Sequence, residues 1–318
     1  PKWAGLYAEY RKAYLDWWSR EGLSGRPTYM ECIRALERHM PELVPLLTRL
    51  TDLAGGGDLD ARFLSFYCPP RYLSGCSQAI WTGDEPLLVR NYDYSPAAFD
   101  AVVLKTRWQG REVIGTTDGL FGLVDGMNDA GHAVSLTFGG RREVGRGFGV
   151  PLILRYILQT CTTTEQAGAA LRRLPCHMSY NVTVLDAARQ YLTAYLAPDR
   201  KPLITHAAVT TNHQERVEWK SHARLTATVE RERYLLHRRT LHPETEDRFM
   251  RTFLLPPLYS LAFEQGFGTL YTAAYHPRLG AVDYAWPDGT WRKSFDRFAE
   301  DARTISYPAQ ARAVSTGK

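Results

Sequence analysis

Apolar positions recur every three or four residues over roughly the first sixty positions, and the period then changes towards two. Met30, Ile33, Leu36, Met40, Leu43, Leu47, Leu50 and Leu53 share one helical face. Thr28-Tyr29-Met30-Glu31 has capping-box spacing ahead of them. Pro41 starts a new helix or kinks the first, and Gly55-Gly56-Gly57 stops it. Residues 63–67 read as a strand broken by Pro69-Pro70. Short strands at 78–81 and 86–91 flank the turn Thr82-Gly83-Asp84-Glu85, which places Cys76 at the head of a hairpin.

Strands are expected at 101–107, 111–116 and 132–138, with 125–131 a turn-rich connection. Two helices follow. One spans 151–160 and opens on Pro151; the other spans 162–174 behind a capping box at Thr162-Thr163-Thr164-Glu165. Strands return at 180–185, 191–197 and about 204–210, helices at 222–238 and 245–264, and strands at 269–275 and 281–286 before a polar tail. That order predicts a layered α+β domain with helices covering packed sheets. No linker divides the chain, and residues 1–60 read as a helical appendage.

Composition narrows the classes. With 318 residues, 44% hydrophobic and 23% charged, the chain is an ordinary globular protein with a large core. A formal charge of +5 suits anionic small molecules and does not require nucleic acid. No apolar run reaches membrane-spanning length, and the N-terminus lacks a secretory apolar segment, so a cytoplasmic protein without membrane attachment is expected. Cysteines 32, 68, 76, 161 and 176 are scattered and form no CxxC, which argues against a disulfide framework or zinc site. No metal and no organic cofactor is expected.

The chemistry concentrates at Gly75-Cys76-Ser77, followed on the next strand by Arg90-Asn91-Tyr92-Asp93-Tyr94. A thiol attacks as thiolate, so it needs a base or a positive field. Cutting the Gly75–Cys76 bond would give Cys76 its own α-amine, whose reference pKa near 8 suits it to take the thiol proton. Glycine leaves the preceding carbonyl uncrowded. Arg90 and Asp93 are three apart, so on a flat strand they face opposite ways unless a bulge or strand end intervenes.

These segments resemble the N-terminal-nucleophile (Ntn) hydrolases of the acyl-coenzyme A:6-aminopenicillanic-acid acyltransferase type, peptidase family C45, with choloylglycine hydrolases as more distant relatives. The resemblance runs through Met40-Pro41-Glu42-Leu43, Gly75-Cys76-Ser77, Arg90-Asn91-Tyr92-Asp93, Gly126-Met127-Asn128-Asp129-Ala130-Gly131, Thr210-Thr211-Asn212-His213, Thr228-Val229-Glu230-Arg231, Leu270-Tyr271-Thr272-Ala273 and Trp286-Pro287. It implies a four-layer αββα sandwich made as a precursor that cuts itself between Gly75 and Cys76. Residues 1–75 would stay docked as an α subunit beside a 76–318 β subunit.

The resemblance also implies roles. Cys76 is the nucleophile, Asp93 holds the α-amine, and Arg90 lowers the thiol pKa or holds a substrate carboxylate. Asn212 supplies an oxyanion donor, and Arg231 buttresses the nucleophile. Thr137 and Phe138 give a second oxyanion contact or line the pocket, with Asn91 and Tyr92 supporting. The expected partners are a small-molecule amide, an acyl acceptor such as an amine or an acyl-CoA donor, and a second copy of the chain.

Two other readings stay open. One is a papain-like hydrolase using Cys76 with His213 and needing no cleavage. The other is a non-catalytic binder on the same fold, with Trp81, Tyr92, Tyr94 and Trp286 lining its cavity. Asn181, on an apolar strand, reads as a core amide. The basic glycine-rich segment with Arg141, Arg142 and Arg146 reads as a mobile surface loop or lid, because no GK[ST] follows its glycines.

Overall fold

The computed structural model describes residues 2–240 and 245–307. The capping box closes as its spacing predicts: Thr28 and Glu31 exchange side chain-to-backbone bonds at the start of the second helix. The helical N-terminal region comprises α1 (Lys2–Ser19), α2 (Tyr29–His39), α3 (Val44–Leu53) and α4 (Asp58–Leu64), with a 3-10 turn at Pro41–Leu43. Residues 63–67, expected as a strand, instead finish α4 and turn out of it. Gly57 sits at the N-cap with Asp58 and Asp60 in the first turn, where acidic residues favour a helix start.

Two antiparallel sheets follow. The first contains β1 (Gly75–Trp81), β2 (Leu87–Tyr94), β10 (Val209–Thr210), β11 (Leu261–Ala262), β12 (Phe267–His276), β13 (Ala281–Trp286) and β14 (Gly289–Ser294), in the order β10-β1-β2-β12-β13-β14 with β11 on β12. The second runs in sequence order: β3 (Val103–Trp108), β4 (Arg111–Asp118), β5 (Gly122–Asn128), β6 (His132–Phe138), β7 (Tyr180–Asp186), β8 (Tyr191–Leu196) and β9 (Leu203–Thr205). Residues 125–131, expected as a connection, place their first half inside β5. The glycines that suggested a turn serve sheet packing instead: a Cβ at Gly126 would lie 2.8 Å from Ile114 O and 2.9 Å from Leu158.

The sheets face each other through β1, β2 and β6. Helices α5 (Val150–Thr160) and α6 (Thr164–Arg173) cover the second sheet. On the far side of the first, α8 (Thr228–Thr240) and α9 (Glu246–Thr252) pack on Ala79, Leu87, Val89, Val209 and Ala274. The layers are therefore α, β, β, α. The α6 cap lies one residue later than expected, with Thr163 accepting from Gln166 N.

Residues 222–238 are not one helix. A short α7 (Lys220–Leu225) ends at Thr226, and Ala227 takes a positive φ of 45° before α8 begins. The helix expected over 245–264 ends at Thr252. The glycine-rich segment around 139–147 is packed at its two ends and exposed at Arg142, Glu143 and Arg146 between them. A Cβ at Gly147 would meet backbone atoms of Cys176 and His177 at 2.6 and 2.8 Å. Arg141 is buried against Asp199 and Glu218, Arg142 lies over Trp219 and Arg146 pairs with Glu31.

The N-terminal helices dock on the sandwich with polar anchors. Trp3 Nε1 donates to Leu120 O, Tyr10 OH to Asp100 O, and Tyr14 OH to Asp100 Oδ1. Among the described residues, no helix is long and apolar enough to cross a membrane.

Candidate active site

Both faces of β1 and β2 are covered, so their side chains divide between two interiors. Cys76 pairs with Tyr92 and Gln78 with Arg90, which puts all four on the face towards the second sheet. Ser77, Asn91 and Asp93 project towards the helices. Arg90 and Asp93 therefore do face opposite ways, as a flat strand requires. They address opposite sides of the same residue.

On the inter-sheet side, Arg90 Nη2 lies 3.3 Å from Cys76 Sγ, and Ser74 Oγ lies 3.6 Å from it. The guanidinium is fixed by Nε to Leu136 O at 2.8 Å and by Nη1 to Asp125, and it sits 4.4 Å from the Tyr92 ring centre. Asp125 is clamped further by the Tyr271 and Tyr275 hydroxyls, both at 2.6 Å. Burial pushes the thiol pKa up, Arg90 pulls it back, and Asp93 adds to the rise. Arg90 keeps its charge: burial opposes it, but Cys76, Asp125 and neighbouring tyrosines outweigh burial.

On the helix side, Arg231 of α8 reaches the backbone of Cys76. Its Nη1 donates to Cys76 O and Ser77 Oγ, both at 2.7 Å, and its Nη2 to Asn212 Oδ1 at 2.6 Å. The same Nη1 lies 3.7 Å from Asp93 Oδ2, while Thr269 Oγ1 donates to Asp93 Oδ1 at 2.7 Å. Burial raises the Asp93 pKa and lowers that of Arg231; each moderates the other. Asp93 stands beside Gly75, where a Cβ would lie 3.0 Å from Asp93 Cβ and 3.3 Å from Phe267.

Asn212 follows β10 and closes the ring. Its Oδ1 accepts Cys76 N–H at 3.1 Å, and its Nδ2 lies 3.3 Å from both Ser74 O and Phe138 O. Gly140 makes room for it. With φ +67°, its α-carbon passes so close to Asn212 that a Cβ would lie 2.2 Å from Asn212 O.

Other expected residues lie further from the sulfur's contacts. The Thr137 hydroxyl donates to Thr211 O and accepts from Asn181 Nδ2. Asn91 pins the 253–258 segment through Phe253 O and Leu258 O. His213 turns its nitrogens to Thr228 Oγ1 at 3.0 Å and Glu232 at 3.2 Å, so no Cys–His dyad forms. Sequence reasoning passed over Ser74, Thr269 and above all Asp125. An acid inside the apolar run Phe121-Gly122-Leu123-Val124-Asp125 was the available signal, since a buried carboxylate needs a partner.

Residues 81–291 match the family described as acyl-coenzyme A:6-aminopenicillanic acid acyl-transferase. The chain belongs to that family. The matched span begins after Cys76, so the acyltransferase family match does not itself cover that residue. Penicillin V acylase from Agrobacterium tumefaciens is similar with a TM-score of 0.52 and 13% identity, over 70% of this chain and 87% of that one. Conjugated bile acid hydrolase from Clostridium perfringens, as a mutant, gives 0.49 at 11% identity over 73% and 97%. The N-acylethanolamine-hydrolyzing acid amidase orthologue of Caenorhabditis elegans gives 0.47 at 16% over 68% and 98%. No curated protein sequence matches. The fold is the Ntn-hydrolase sandwich, and the family's description is that of an acyltransferase.

Proposed function

We propose that the chain is a self-processing thiol hydrolase or acyltransferase acting on a non-peptidic amide of a small molecule. One observation carries the reading. Both the sulfur and the nitrogen of Cys76 are addressed by buried polar groups, Arg90 at 3.3 Å from Sγ and Asn212 at 3.1 Å from the backbone N.

In the first phase Cys76 Sγ attacks the Gly75 carbonyl carbon, the C–N bond breaks, and the amine nitrogen takes up the proton. Water then hydrolyses the thioester, giving a Gly75 carboxylate, a restored thiol and a free α-amine. Arg231 and Asp93 remain beside that amine. In the second phase the α-amine removes the thiol proton and the thiolate attacks the substrate carbonyl. Departure of residues 74 and 75 releases Asn212 Nδ2 from Ser74 O to stabilise the oxyanion. The α-ammonium returns its proton to the leaving amine, and water or an acceptor amine resolves the acyl-enzyme. Residues 1–75 stay bound as an α subunit through Trp3, Tyr10 and Tyr14, with 76–318 as the β subunit.

Terminal sequencing and intact-mass measurement test this. The active protein yields a new terminus reading Cys-Ser-Gln, and Cys76→Ala remains one chain. His213→Ala keeps processing and turnover within a few-fold of the parent. Activity from an uncut chain that His213→Ala abolishes would replace this reading with a Cys–His hydrolase.

A further inference from the structure

A cavity of about 470 Å³ opens where the N-terminal helices meet the end of the sandwich. Aromatic rings form nearly half of its lining, among them Tyr14, Trp17, Phe66, Tyr72 and Tyr94, and Asp118 lies among them. Tyr94 stacks on Tyr92 at 5.6 Å between ring centres, and Tyr92 pairs directly with Cys76. The cavity therefore lies along the same sheet face as the sulfur, roughly 7 Å beyond Tyr92 at about 3.3 Å per strand residue. Tyr72 and Leu73 of the wall lead along the chain directly to the Gly75–Cys76 bond.

The two carboxyls here differ. Asp100 is saturated: it accepts from Tyr14 OH and Thr117 Oγ1, both at 2.8 Å, and from Leu120 N at 3.0 Å. No hydrogen bond or ion pair from the described residues reaches the Asp118 carboxylate. A carboxylate set among π faces, without a counter-charge, is the complement of an organic cation. Arg20 and Arg71 are at the exposed rim, where Arg20 already bonds Arg71 O.

We propose that this cavity binds a protonated amine carried by the amide substrate, with Asp118 as its counter-ion. Taking the ligand as substrate rests on the hydrolase reading above; the site itself does not. More than half of the lining residues belong to 1–75, so the docked N-terminal segment would complete the specificity pocket.

Burial, with Asp100 next to it, pushes Asp118 up to about 8. The other groups facing it are Asp100 and Tyr14, Tyr72, Tyr92, Tyr94 and Tyr180, whose phenols are all raised and stay neutral. An alkylammonium, with a pKa near 10, stays charged throughout that range. Binding it requires Asp118 to ionise, so affinity should rise about tenfold per pH unit from about pH 6 and level off above about pH 8.

The test uses the uncut Cys76→Ala chain, titrated calorimetrically with phenethylamine and with phenethyl alcohol, its neutral isostere. The amine should bind at least tenfold tighter, with that pH profile. Adding Asp118→Asn should erase the preference without lowering the melting temperature. Equal binding of the two probes, a flat pH profile, or a preference that survives Asp118→Asn would overturn the proposal. With the mature enzyme, ω-aminoacyl anilides, whose alkylammonium has a pKa near 10, should be cleaved at least tenfold faster in kcat/KM than plain acyl anilides of equal length. Equal rates would overturn the amine site and leave the hydrolase standing; amine binding with no amide cleavage would do the reverse.

Discussion

Replacing Arg90 by Met tests whether the buried guanidinium sets the reactivity of Cys76. At 3.3 Å from the sulfur, a unit charge is worth about 5 kcal/mol at an effective dielectric constant of about 20. Taken alone, that changes the thiolate population by a factor of about 5,000. Asp125, on another nitrogen of the same guanidinium, takes back part of that field. The net loss expected is on the order of 10² to 10³ in thiolate at neutral pH.

The single variant also strands Asp125, and breaking a buried pair costs about 3–5 kcal/mol of stability. Pairing it with Asp125→Asn separates the effects. The amide oxygen introduced by that second change can still accept from Tyr271 or Tyr275, and no charge is left buried. The assay is a time course of self-cleavage after cell-free synthesis, read on denaturing gels across pH. Cleavage in the double variant should slow by at least two orders of magnitude near neutral pH and recover as the medium becomes alkaline enough to ionise the thiol. A folded double variant that cleaves at the parent rate would refute the electrostatic argument.

Three further expectations rest on the same geometry. Asn212→Ala leaves Arg231 and Cys76 N without their shared acceptor, so stability should drop by about 1–3 kcal/mol; kcat should fall about 10² to 10³-fold for loss of one oxyanion donor, read by steady-state kinetics on the mature form. Gly140→Ala forces a Cβ to 2.2 Å from Asn212 O at a positive φ, so the melting temperature and cleavage rate should fall together. His222 is buried and its pKa is lowered to about 4 by burial and by Arg231, with neither ring nitrogen bonded among the described residues. The unfolded chain therefore takes up the proton first, stability falls as pH drops from about 6.5 to 4, and the loss approaches about 3 kcal/mol. His222→Leu should flatten that part of the pH–stability curve.

The legible parts of this chain were those whose signal is local. Thr28 and Glu31 announce a helix start because a cap is made within four residues. The hairpin around Thr82–Glu85 was readable because turns use special residues. Residues 63–67 misled because a short buried helix and a buried strand both present an unbroken apolar run, and only packing decides between them. Residues 125–128 misled for a related reason. Gly126 serves close approach of strands within the sheet, and its neighbour Asp125 is neutralised by Arg90, thirty-five positions away. No local pattern carries that pairing.

The division of labour between Arg90 and Arg231 shows why a buried thiol here need not be inert. Arg90 acts on the sulfur from the inter-sheet side, and its charge is already shared with Asp125. Arg231 acts on the carbonyl of Cys76 and on Asn212 from the helix side, and its charge is shared with Asp93. Strand alternation keeps these two ion pairs on opposite faces of β2, so the Asp93 carboxylate beside Gly75 does not sit directly against the Cys76 sulfur. Had Asp93 shared the sulfur's face, its charge would raise the thiol pKa further than it now does, adding to the upward push of burial. The three-residue spacing from Arg90 to Asp93, which looked like an obstacle to a common site, is what lets a single residue present its nitrogen and its sulfur to different electrostatic environments.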